Sequence, residues 1–148
     1  MAKKKKDSVS YLAMFIAVLA LIVSIYEGYE IRKHNRLSLK PYLDGSIFMQ
    51  EKKLFKIEIR NEGLGPAIVE EFSIYANGKK VSSWNNAMKE IGMKKFSQLT
   101  NMKPGDIISQ GENLTLVKID TVLLKYNLEY VIKYKSVYEE SFKIEQEF

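Results

Sequence analysis

The run Asn61-Glu62-Gly63-Leu64-Gly65-Pro66-Ala67 is the part of the chain whose residue types and spacing come nearest to chemistry. Two glycines one residue apart can turn backbone N–H groups toward a phosphate. Here the third glycine and the following helix of a dinucleotide fingerprint are missing, and no Gly-Lys-Ser/Thr occurs as a P-loop requires. The plainer expectation is a connection between two strands. In it the glycines take unusual φ values, Pro66 blocks further pairing and Asn61 hydrogen-bonds the loop backbone. Irregular segments on a rigid sheet are where recognition concentrates, so Asn61, Gly63, Gly65 and Pro66, together with Trp84 on a short helix, are the candidate binding residues.

Catalytic constellations are sparse. With no cysteine there is no thiolate nucleophile, disulfide or sulfur metal ligand, and one histidine, His34, cannot build a multi-histidine site. His34 lies before the body of the chain, so no serine there has a plausible base. Glu70-Glu71 are neighbours on a strand and point to opposite faces, whereas Glu139-Glu140 fall in a turn. Neither pair resembles the facing carboxyls of a glycosidase. The expectation is a protein without catalytic residues, metal or cofactor.

The charges are unevenly placed. Of 23 Lys plus Arg and 18 Asp plus Glu in 148 residues, residues 1–40 hold eight basic and three acidic side chains, leaving fifteen of each for residues 41–148. A body of zero formal charge lacks the electrostatic footprint of a nucleic-acid polymer binder. The net +5 instead flanks an apolar segment. Ser8 to Tyr26 is free of charge, and Val9 to Tyr26 is interrupted only by Ser10 and Ser24, whose hydroxyls can bond a carbonyl one turn back. Eighteen residues at ~1.5 Å each rise about 27 Å, close to the hydrocarbon thickness of a bilayer.

The expected organisation is therefore a basic tail at residues 1–8, a transmembrane helix at 9–26, a juxtamembrane helix or linker at 27–40, and a β-sandwich domain at 41–148. Lys3, Lys4, Lys5 and Lys6 on one side, and Tyr26, Tyr29, Arg32, Lys33 and Arg36 on the other, are the expected membrane-interface residues. Retention as a signal anchor is favoured over cleavage, because no small-x-small site precedes Glu27. Basic residues balance across the span; the four adjacent lysines favour an N-terminus inside and a body outside the cytoplasm. Ala13, Ala17 and Ala20 share one helix face and would permit self-association.

Beyond Pro41 the period becomes two. Phe55, Ile57 and Ile59 alternate with Lys56, Glu58 and Arg60. Tyr130, Ile132 and Tyr134 alternate with charge, as do Phe142, Ile144 and Phe148, and together these predict a closing hairpin. Residues 68–76 run into Asn77-Gly78, suited to a tight turn, and 42–50 and 113–119 add two strands. Ser83 is a candidate N-cap for a helix at Trp84 to Ile91, with Gly92 as its stop. These elements predict a mainly β protein: an N-terminal transmembrane helix followed by an antiparallel immunoglobulin-like sandwich or small barrel with one short helix.

The run Ile57-Glu58-Ile59-Arg60-Asn61-Glu62-Gly63, then Gly65-Pro66-Ala67, then Phe72-Ser73-Ile74-Tyr75 with Asn77-Gly78-Lys79, resembles immunoglobulin-like bacterial domains. With His34-Asn35-Arg36-Leu37-Ser38-Leu39-Lys40-Pro41 as linker, the chain is similar to bacterial single-pass membrane-anchored proteins carrying such a domain. The resemblance covers residues 1–80 and the rest only in layout; it implies a sandwich and carries no catalytic residue. The functional expectation is a membrane-anchored, non-enzymatic module that binds a protein partner or itself, with the lipid bilayer as its other contact. The alternative rests on layout. Membrane-anchored β-barrel effectors of bacterial anti-phage signalling bind a cyclic nucleotide and act by oligomerising in the membrane.

Overall fold

The computed structural model describes residues 2–50, 54–93, 97–119 and 127–147, with side chains from Ser10 onward and not at 50. The chain divides into a helical unit, Met1–Ser38, and a body, Leu39–Phe148. The first is one helix, α1, at Ala2–Ser38. Span and juxtamembrane segment are thus continuous, because no proline or helix stop separates them. Its apolar stretch is long enough to cross a membrane, and none of it is buried. Ser24 Oγ donates to Ala20 O at 2.9 Å, so this hydroxyl is satisfied within the helix. Ser38 Oγ donates to the His34 carbonyl at 2.8 Å, and Pro41 forbids continuation. The helix ends there.

The body consists of β1 (Leu43–Gln50), β2 (Leu54–Asn61), β3 (Ala67–Ala76), β4 (Lys79–Val81), α2 (Trp84–Glu90), β5 (Gln98–Leu99), β6 (Ile107–Ile108), β7 (Asn113–Ile119), β8 (Leu128–Lys135) and β9 (Ser141–Glu147). The strands form two antiparallel sheets, ordered β1-β2-β7-β5 and β4-β3-β8-β9, with β6 on the start of β3. This is the A-B-E-D and C′-C-F-G order of an immunoglobulin-like sandwich, and no closed barrel forms. The long strands fall where the period of two placed them. Asn77 and Gly78 take φ of 51° and 77°, the left-handed pair a tight hairpin turn needs. Phe148, assigned to the last strand's apolar row, lies outside the described residues. Three short strands, β4, β5 and β6, carry too few residues to show a period.

Phe55, Ile57 and Ile59 of β2 face Ile74, Tyr130 and Ile132 of the other sheet across one apolar layer. The two open sides of the sandwich are closed differently. At one side α2, linking the edge strands β4 and β5, inserts Trp84, Ala87 and Met88. Ser83 caps α2 by accepting from Asn86 N, and Gly92 ends it at φ 74°. Trp84 packs on Phe72 with ring centroids 6.3 Å apart, while Asn101 Oδ1 accepts its main-chain N–H at 2.8 Å. At the other side, Tyr134 and Tyr130 hydroxyls reach toward β1. The first accepts from Leu43 N at 3.2 Å and the second donates to Gln146 at 2.8 Å.

The outer face of β4-β3-β8-β9 is a charge lattice. Glu71 accepts from Lys133 Nζ at 2.7 Å, from Ser73 Oγ at 2.8 Å and from Lys80 Nζ at 3.1 Å. The bond from Lys133, then those from Ser73 and Lys80, hold its carboxyl down at about 2. A carboxyl lowered in the fold stabilises it above the ordinary value near 4.5 and loses that contribution as pH falls toward 2. Glu71→Gln should therefore reduce stability at neutral pH and flatten the loss between those values in acid urea titrations. In the core, Trp84→Ala should cost about 3–5 kcal/mol in urea unfolding of the detergent-solubilised chain. Trp84→Phe should cost substantially less, since Nε1 makes no hydrogen bond in the described structure.

Candidate functional site

Asn61 ends β2 with its side chain wholly buried, at 0 % exposure. Its Oδ1 accepts from Tyr42 N at 3.2 Å and Gly63 N at 3.0 Å, and its Nδ2 donates to Gly65 O at 2.8 Å and Ile108 O at 3.0 Å. Its own N–H donates to Glu112 O at 3.1 Å, and its carbonyl accepts from Gly111 N at 2.9 Å. One residue thereby joins the start of β1, the β2–β3 loop, β6 and the turn before β7. These four segments belong to both sheets. All lie at the near end of the sandwich, where the chain comes in from Ser38.

Gly63 and Gly65 do not have positive φ, contrary to the expectation of unusual angles; among the described glycines those values occur at 78, 92, 105 and 111. Close approach is the reason instead. A Cβ on Gly65 would lie 1.9 Å from Leu39 O, and one on Gly63 would lie 2.3 Å from Tyr42 N, both backbone atoms. Leu64 N and Gly65 N donate to Lys40 O at 3.1 and 3.4 Å, and Glu62 N donates to Tyr42 O at 2.8 Å. The loop therefore clasps the segment Leu39–Tyr42, and the N–H groups that would hold a phosphate are already bonded within the chain. The phosphate-cradle reading fails on this geometry.

The other candidate residues separate. Pro66 is half-buried beside the clasp. Trp84 has 0 % exposure and anchors α2, so it offers no contact surface, in contrast to the expectation. Tyr26, Tyr29, Arg32, Lys33 and Arg36 are exposed along α1, whose backbone also runs through Lys3 to Lys6; those four side chains lie outside the described residues. The structure brings Asn61, Gly63, Gly65 and Pro66 together and leaves Trp84 apart from them.

Two apolar surfaces were not singled out from sequence. At the near end, Leu64, Val137 and Tyr138 stand on loop tips beside Ile107 of β6, with Leu64 59 % exposed. On β1, Phe48 and Met49 are 51 % and 53 % exposed at the edge of the first sheet. The legible signal was Ile47-Phe48-Met49: three apolar residues in succession cannot all face inward on a strand. Beside Phe48 on the outer face, Lys56 Nζ lies 5.9 Å from the ring centroid and ion-pairs with Glu58. Thr115 Oγ1 donates to that carboxylate at 3.1 Å. Burial pushes the Glu58 carboxyl up, but bonds from Lys56, Thr115 and Asn113 outweigh it and keep the group ionised below its ordinary range. Among the described residues no cluster of His, Asp and Glu is arranged to hold a metal ion.

No protein-family model, curated protein or solved structure matches this chain. What the site can do therefore follows from its own geometry. Replacing Asn61 by Leu removes four side-chain hydrogen bonds and leaves buried partners unpaired, at a cost of at least about 3 kcal/mol. Gly65→Val should in addition expel Leu39–Tyr42 from the loop. Hydrogen exchange at the Leu43 and Leu64 amides should accelerate, and unchanged protection there would refute the clasp.

Proposed function

We propose that this protein is a membrane-anchored, non-enzymatic binding module whose sandwich recognises another protein. α1 serves as the anchor: an apolar helix with none of its hydrophobic window covered by the chain requires a covering from elsewhere, and lipid supplies it at the length observed. The four lysines ahead of the span favour an N-terminus inside and a body outside the cytoplasm.

One observation carries the binding role. The Asn61 carboxamide and the N–H groups of Glu62 through Gly65 are engaged by the chain itself, and apolar side chains stand exposed near them and on the sheet edge: Leu64 on the loop tip, and Phe48 and Met49 on β1. A surface of that composition gains by covering apolar area and strand backbone, which is association and not turnover. Edges of sandwiches and the loops at their ends are where rigid β domains meet partners.

The test is a photo-crosslinking residue placed separately at Leu64 and at Phe48 in the full chain, with Lys143 on the charged face as control. A discrete protein adduct from either apolar position, absent at Lys143, is the expected result. Equal patterns at all three positions would overturn the module reading. A topology reporter fused after Phe148 should respond outside the cytoplasm, and a response inside would reverse the orientation.

A further inference from the structure

The edge of β1 is open over half its length. Glu62 N donates to Tyr42 O, whereas Leu43 N donates sideways to the Tyr134 hydroxyl. Pairing of β1 with β2 then runs without a register shift from Leu43 opposite Asn61 to Gln50 opposite Leu54. Antiparallel ladders alternate, so Asp44, Ser46, Phe48 and Gln50 bond to β2, while Leu43, Gly45, Ile47 and Met49 turn N–H and C=O away from it. Tyr134 takes the Leu43 N–H, and Tyr130 with Gln146 stands over Gly45. Ile47 and Met49 have no such cover among the described residues. Their four main-chain groups are spaced as one period of a β ladder.

Among the described residues the other edge strands are blunted, β6 by having only two residues. β9 exposes Lys143, Glu145 and Glu147 along its length. β4 has three residues and leads into α2, and β5 has two. Charge, shortness and cover are the usual protections of a sheet edge. Among the described residues β1 has none of them from Ser46 to Gln50, a stretch with no charged residue and no proline.

Resting on the binding-module reading, we propose that β1 captures an extended segment of a partner protein by strand addition at Ile47 and Met49, and that this segment alternates apolar with acidic residues. The backbone requirement follows from the four unpaired groups. The side-chain requirement follows from the two faces of the sheet. On the inner face the added strand lies beside Ile47 and Met49 and must be apolar. On the outer face it lies beside Phe48, in a row that continues through Lys56 and Lys118. The Lys56 ammonium over the Phe48 ring is ion-paired with Glu58, and Lys118 next in the row adds a second positive charge, so a carboxylate there meets opposite charge and a lysine meets like charge. A second copy fits less well. Its own Ser46–Gln50 brings no carboxylate to the row of Phe48, Lys56 and Lys118.

The experiment uses the full chain in detergent with three short capped peptides: alternating Val and Glu, alternating Val and Lys, and the Val-Glu peptide N-methylated at alternate residues. The Val-Glu peptide should bind and slow hydrogen exchange at the Ile47 and Met49 amides. The Val-Lys and N-methylated peptides should bind about tenfold more weakly or worse. Met49→Pro removes an outward N–H without breaking the β2 ladder, so it should retain the unfolding midpoint while weakening the Val-Glu peptide about threefold to tenfold. Equal binding of the N-methylated peptide, which requires no variant, would overturn strand addition. So would chain dimers in sedimentation that Met49→Pro dissolves, since a second copy would then own the edge. A crosslinked partner at Leu64 that persists when these peptides fail to bind would remove this inference and leave the binding module standing.

Discussion

The near end of the sandwich is organised around one buried amide. Asn61 is where β2 must leave the first sheet and the chain must cross to β3 in the second, so its neighbours are backbone groups at the ends of strands that no ladder reaches. In a dry interior each such group is costly if left unpaired. A carboxamide presents donors and acceptors from one side chain, and here all of them are used. A serine is too short to reach both the Gly65 and Ile108 carbonyls, and an aspartate brings no donor to either.

Satisfying that amide constrains everything around it. The loop must fold back within bonding distance of Leu39–Tyr42, so side chains are excluded at residues 63 and 65 and the loop takes glycine at both. Lys40 O accepts from two loop amides, so the first residues of the body are tied into the sandwich by the same loop.

Much of the architecture was legible because the physics producing it is local. Alternation in 55–59, 130–134 and 142–144 reflects one wet and one dry sheet face, and Asn77-Gly78 and Ser83 are dictated by turn and cap geometry. The apolar length of α1 speaks for itself. The misreadings share a different cause. Gly63 and Gly65 invite an explanation from φ, yet their reason is a backbone segment some twenty residues earlier in the chain, which no local pattern announces. Trp84 looks like a surface anchor on an amphipathic turn, but α2 lies between two sheet edges and its apolar side closes the core. The β1 edge was also hidden, since whether a strand is central or peripheral depends on the pairing of all the others.

That last point separates stability from function in this fold. The sandwich buries its polar connections, covers its β4–β5 side with α2 and places Lys143, Glu145 and Glu147 along β9, which are measures against unwanted association. Among the described residues Ile47-Phe48-Met49 carries none of these protections, although a charged residue at the exposed position 48 would harm neither the core nor the ladder to β2. Retaining an apolar, uncharged half-strand there makes sense when something with a matching backbone is meant to lie against it. The neutral body fits the same view: its fifteen charges of each sign cancel, so under the binding-module reading selectivity rests on contact geometry at short range.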